Sequence, residues 1–295
     1  MSRIASELIA VVRMIVGVLL VLYPLAIRAQ INRCERIISL APSITELLVE
    51  LGLESNIVGV TTYDHYPPSI SEKPKIGGFL DVNTEAVIRN NPTMVFALVE
   101  GDESLRRVRS FGIKVELVDH RSVKGILESV ATISRQCGIV DRGEKLVAYL
   151  KEIVATATAV IKAGAPVKVL VVVGREVGAE GVSSVYVSGR DGFYNDLLLL
   201  AGARNAYDGP TLAVPALSSE GLKSLRPDLI IEIIGNDSSA PTDAAILESW
   251  KHLSAIPAVA RGRIFIMRNE YVTIPGPRYP LVLGDFIRVI SGVGE

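Results

Sequence analysis

From Arg36 to Met267 short apolar runs alternate with helical stretches on both sides of one long helical segment. That alternation commits the chain to an α/β fold with largely parallel sheets. RIISL at 36–40 reads as a strand broken by Ala41-Pro42. Ser43 and Glu46 then form a capping box, Leu47, Leu48 and Leu51 follow at helical spacing, and Gly52 is the stop. Further strands are predicted over 57–60, 94–98 and 114–118, with helices over 84–90, 104–111 and 123–137. Residues 141–161 form the longest uninterrupted helical segment, with Asp141 as N-cap and Gly164 and Pro166 as the stop. At about 1.5 Å per residue it spans about 32 Å, the width of a lobe. Strands over 167–173, 186–188, 229–233 and 264–267 and a helix over 191–201 continue the alternation.

The two halves share a plan. Thr45-Glu46-Leu47-Leu48 ahead of Gly52 parallels Asn195-Asp196-Leu197-Leu198 ahead of Gly202. Thr84-Glu85 stands seven residues before Pro92 as Ser219-Glu220 stands seven before Pro227. The expected fold class is α/β, with two Rossmann-like lobes, pseudo-duplicated and with mostly parallel sheets, joined by one long rigid helix. The boundaries are an N-terminal lobe over 36–140, a connecting helix over 141–163 and a C-terminal lobe over 167–293.

Ahead of these lies an uncharged apolar run, Met14 to Ile27, preceded by Arg3 and Arg13 and followed by Arg28-Ala29-Gln30. It is shorter than the ~20 residues of a spanning helix, so residues 1–29 read as a secretory signal peptide, with an N-terminal anchor as the competing reading. The chain is therefore expected to be extracytoplasmic. The 31 basic and 32 acidic side chains leave a net charge of −1, which argues against nucleic acid as a partner. An apolar content of 49% with 21% charged residues excludes both disorder and a polytopic membrane protein. Cys34 lacks the small preceding residues of a lipidation site, and Cys34 and Cys137 read as unpaired buried thiols, the alternative being a disulfide in an oxidising compartment.

No phosphate-binding loop, dinucleotide fingerprint, zinc-protease helix or nucleophile elbow occurs. His65, His120 and His252 lack metal-ligand spacing, so neither a metal site nor a cofactor is expected. His120 reads as a turn residue at a strand end. Polar and aromatic groups concentrate in two places. Thr61-Thr62-Tyr63-Asp64-His65-Tyr66-Pro67-Pro68 follows a strand and reads as a rigid ligand-facing loop, against an ordered proline turn. The second is Asn269-Glu270-Tyr271 with Pro275-Gly276-Pro277-Arg278-Tyr279, where Arg278 suits a carboxylate or phosphate.

As a set, RIISLAPSITELLVELGL, VGVTTYDHYPP, TEAVIRNNPTMVFAL, VYVSGRDGFYNDLLLLAGARNAY, SSEGLKSLRPDLIIEI and VARGRIFIM resemble the solute-binding proteins of ABC importers for vitamin B12, ferric siderophores and haem, over about residues 36–290. The resemblance implies a monomeric binding protein rather than an enzyme, holding a metal-chelate ligand between its lobes and passing it to ABC permease and ATPase subunits. It implies that Glu85 and Glu220, one per lobe, dock onto permease arginines. It also implies that Tyr63, and more loosely Phe79, Arg175 and Arg278, contact ligand, with Tyr66 and Tyr271 beside them. Where B12 binders offer tryptophan this chain has Phe79, Leu98 and Val214, while the tyrosines and Arg278 suit a ferric complex or haem. Corrinoid, siderophore and haem all stay open. The single Trp250 reads as a packing residue. A one-helix connection implies small lobe rotations. The competing functions are a membrane-tethered ligand-sensing receptor and, last, a bilobed metal-chelate enzyme.

Overall fold

Apolar runs without alternation become strands buried along nearly their whole length, because helices cover both faces of the sheet they enter. The computed structural model describes residues 34–78, 81–161, 164–179, 181–235 and 239–292. The 1–29 segment and Phe79 lie outside these described residues. In the first lobe β1 (Ile37–Ser39), β2 (Ile57–Gly59), β3 (Met94–Leu98) and β4 (Val115–Val118) form an all-parallel sheet in the order β2-β1-β3-β4. Its helices are α1 (Pro42–Glu50), α2 (Thr84–Arg89), α3 (Arg106–Ser110) and α4 (Val123–Cys137).

The second lobe carries β5 (Lys168–Gly178), β6 (Gly181–Val187), β7 (Arg204–Asn205), β8 (Ala216–Ser218), β9 (Leu229–Ile233) and β10 (Ile264–Met267). β7, β5, β9 and β10 pair in parallel and repeat the order of the first sheet. The sheets are mostly parallel, as expected, and the second carries an antiparallel edge. β5 runs past the core to Gly178, and β6 returns along it antiparallel and pairs with antiparallel β8. The helices are α6 (Phe193–Leu200), α7 (Ser219–Leu225), α8 (Asp243–Trp250), α9 (Pro257–Ala260) and α10 (Tyr279–Ser291).

Between the lobes runs α5 (Val140–Thr158), packed on α4 of the first lobe and α10 of the second. It starts one residue before the expected cap, with Asp141 in its first turn. A Cβ at Gly143 would stand 2.1 Å from Ser134 Oγ, so this glycine sets how closely α5 approaches α4. The largest apolar cluster is continuous through both lobes, running from Ile37, Leu47 and Phe96 past Ile133 and Leu150 to Val171, Leu197 and Phe286. Smaller clusters back the outer face of each sheet. A cross-lobe bond reinforces this, with the Val123 N–H at the start of α4 donating to Asp196 Oδ2 at 2.9 Å.

Two further expectations are overturned. Cys34 and Cys137 are disulfide-bonded, with Cα atoms 5.2 Å apart, because the chain just before β1 meets the C-terminal end of α4. The bridge closes a loop of 103 residues, long enough to restrict the unfolded chain substantially. The capping box at Ser43 and Glu46 does not form. Pro42 occupies the first helical turn, which makes Ala41 the N-cap, and Ser43 and Glu46 fall inside α1 where tertiary partners take their side chains. Among the described residues no helix is long and apolar enough to cross a membrane.

Candidate functional site

A cavity of about 450 Å³ lies between the lobes. Pro42, Glu46, Tyr63, His65 and Tyr66 line it from the first lobe, and Ile234, Gly235, Glu270, Thr273 and Ile274 from the second. Each group follows the C-terminal end of a parallel strand: β1 and β2 on one side, β9 and β10 on the other. That is where α/β sheets place ligands, since backbone polarity and loop variety converge there. A hollow of about 820 Å³ between α4 and α5 is larger, but two neighbouring helices alone line it and neither lobe's strand ends reach it. The interlobe cavity is therefore the candidate site.

Arg278 ties the floor of this cavity together. Its Nε donates to Glu46 Oε2 at 2.9 Å and its Nη2 to Glu46 Oε1 at 2.5 Å, a bidentate pair across the lobes. Its Nη1 donates to Glu270 Oε1 at 2.8 Å, and its guanidinium lies 3.9 Å from the centre of the Tyr66 ring. Burial pushes the Glu46 carboxyl up, against the hydrogen bond and charge of Arg278, which pull it down. Burial would lower the Arg278 pKa, but the bonds to Glu46 and Glu270 carry it up. Gly276 lets the second lobe come this close, because a Cβ there would meet Ser43 Cα at 3.2 Å.

Beneath Tyr63 and Tyr66 the loop is held by Asp64, which is fully buried. Its Oδ2 accepts the Thr61 N–H at 2.8 Å and the Thr61 hydroxyl at 2.5 Å, and Lys75 Nζ donates to its carbonyl at 3.0 Å. Burial pushes the Asp64 carboxyl up, and its Oδ1 has no partner among the described residues. His120 lies in the connection after β4, with its ring turned into the core. It is 2% exposed, its Nδ1 stands 2.8 Å from Ser43 Oγ, its Nε2 has no partner among the described residues, and burial pushes its pKa down to about 4.

The other predicted residues fall in different places. Tyr63, 63% exposed, and Tyr66 line the cavity. Tyr271 does not line it: its hydroxyl donates to Asp285 Oδ2 and accepts from Asn269 Nδ2, both at 2.8 Å, and burial with the Asp285 bond raises its pKa. Arg175 does not line it either. Its guanidinium is buried against Glu232 at 3.3 Å and Ser249 at 3.0 Å, so an internal carboxylate takes the charge that a ligand was expected to take. Trp250 is fully buried and donates its Nε1–H to the same Glu232. Leu98 packs against the core, and Val214 is exposed away from the cavity lining.

Glu85 and Glu220 are exposed and stand at matching places. Each lies in the first turn of the helix before the strand that pairs with β1 or β5, α2 before β3 and α7 before β9. Asn83 and Ser218 cap those helices through their side chains, and each helix is followed by a residue of positive φ, Asn91 at 44° and Arg226 at 48°, ahead of a proline. Sequence reasoning missed Glu46, His65 and Glu270 as lining residues. Glu270 sat within a segment already marked by composition, whereas Glu46 carried only the signal of a helix cap.

Residues 37–271 match the periplasmic binding protein family. The chain is 30% identical over 253 residues, 83% of its length and 76% of the relative's, to the ABC transporter substrate-binding lipoprotein YvrC of Bacillus subtilis. It is 26% identical over 251 residues to a cobalamin-binding protein of Halobacterium salinarum, covering 83% of this chain and 66% of that one. Its fold superposes on the periplasmic haem-binding protein RhuT of Roseiflexus sp. RS-1 with a TM-score of 0.76 and 25% identity, covering 88% of this chain and 99% of that one.

Proposed function

Because this chain belongs to the periplasmic binding protein family, we propose that it is the extracytoplasmic solute-binding component of an ABC importer, holding a metal-chelate ligand between its lobes. The observation that carries this reading is a cavity lined half from each lobe, at the strand ends, with aromatic rings at its mouth. A ligand held there touches both lobes at once, so loading is sensed by the molecule as a whole. The relatives named above are binding proteins by name, which supports binding over catalysis.

Glu85 and Glu220 are the docking contacts. The repeat of strand order, cap and exposed glutamate in both lobes supports this, because a permease dimer offers the same surface twice. Neither carboxylate lines the cavity, so docking and ligand binding are separable by mutation. The expected outcome for Glu85→Lys with Glu220→Lys is an unchanged ligand Kd and an uptake rate at least tenfold lower in cells carrying the matching permease. Thermal unfolding against cobalamin, haemin and ferric siderophores supplies the binding arm, since a ligand at 100 times its Kd adds about 2.7 kcal/mol. Uptake at the unmutated rate sinks the docking assignment, and no shift with any chelate sinks the solute assignment.

A further inference from the structure

We infer that the cleft selects chelates whose buried face is neutral or cationic and rejects anionic ones, with Glu270 setting the preference; this rests on the cleft being the solute site. Arg278 is the cation expected to meet a ligand carboxylate, and the structure has already paired it twice. Its guanidinium is bidentate to Glu46, bonded to Glu270 and covered on one face by Tyr66, and its side chain is only 12% exposed. Among the described residues lining the cavity the fixed charges are Glu46 and Glu270, with no lysine or arginine. One guanidinium against two carboxylates leaves the floor acidic.

The two carboxylates differ in what a ligand can reach. Glu46 is 2% exposed and spends both oxygens on Arg278, whereas Glu270 is 42% exposed and spends only Oε1. Oε2 of Glu270 has no partner among the described residues and can accept from an amide or other donor at a ligand's rim. The phenol rings of Tyr63 and Tyr66 add π faces, which attract cations. A propionate or catecholate placed here would face Glu270 without a lysine or arginine among the described lining residues to answer it, a like-charge contact inside a partly desolvated site. Amide-rimmed corrinoids and neutral or cationic ferric hydroxamates fit this lining, and haem and ferric tricatecholates do not.

The test uses the full chain and four probes, aquacobalamin and ferrioxamine B as cations, haemin and ferric enterobactin as anions, with Kd measured by equilibrium dialysis at fixed ionic strength. The unmutated protein is expected to bind the better cation at least tenfold more tightly than either anion. Glu270→Gln is expected to shrink that ratio at least fivefold while Glu270→Asp, which keeps the charge, preserves it. Glu270 is partly exposed at the start of a single helical turn, so both variants retain the fold, checked by their thermal midpoints. Anion binding as tight as cation binding, or a ratio that Glu270→Gln leaves unchanged, overturns the inference while leaving the importer reading intact. Binding of none of the probes overturns the importer reading and this inference with it.

Discussion

His120 shows what enclosing a titratable ring does to the pH response of a fold. Its Nδ1 meets Ser43 Oγ, its Nε2 has no hydrogen-bond partner among the described residues, and protonation would leave a charge in a site 2% exposed. The folded-state pKa falls to about 4 from an ordinary 6.5, so between those values the unfolded chain binds more protons than the folded one. Stability from the neutral ring is therefore complete above about pH 6.5 and is lost as pH falls toward 4, about 3 kcal/mol in all. Glu46, Asp64 and Glu232 act in the opposite sense. Their folded pKa values are raised, so each contributes stability at low pH that is lost as pH rises through the folded value. The total profile is thus composite, and the difference between the unmutated chain and His120→Gln isolates the ring. Urea unfolding at about pH 6.5 and about pH 4.5 is expected to show the two proteins converging as the solution is acidified. A constant gap would mean that the folded-state pKa of the ring is not depressed.

Where α4 meets α5, one glycine inverts an ordinary expectation. Replacing an exposed helical glycine by alanine stabilises by about 1 kcal/mol. At Gly143 the new Cβ would stand 2.1 Å from Ser134 Oγ and 2.6 Å from Ser134 Cβ, and a rotamer change cannot move the latter. Gly143→Ala is expected to destabilise by about 1–3 kcal/mol, read as a lower urea midpoint at unchanged m. The existence of both helices was legible from amphipathic spacing, and so were the parallel strands, because sheets covered on both faces leave apolar runs that need no partner to be recognised. The β6–β8 excursion was less visible, since β5 beyond Val173 is half exposed and its alternation weak. α10 was missed although Val282, Leu283, Phe286, Ile287 and Ile290 are buried at helical spacing, because the Pro-Gly-Pro ahead of it drew the reading toward a loop. In the site, the Tyr63–Tyr66 loop and the Asn269-Glu270 segment stood out by composition. Neutralisation of Arg278 did not, because an arginine's partner 232 residues away leaves no local mark. The disulfide was hidden for the same reason, 103 residues separating its halves.

The continuous apolar cluster makes the two lobes one thermodynamic object. Separating them would expose the faces of α4, α5, α6 and α10 together, so neither lobe has a complete core alone. Unfolding is expected to be a single transition. The sole tryptophan, Trp250, reports the second lobe and far-UV circular dichroism reports both, and their midpoints should coincide. Two separated midpoints would show lobes that fold independently. Shared packing also opposes rotation of one lobe against the other. The Glu46–Arg278 bond carries one more consequence, which concerns time. Its partners stand near opposite ends of the described chain. While the chain is being made, Glu46 emerges 232 residues before the guanidinium that pairs with it. The interlobe cavity is thus among the last features to be finished.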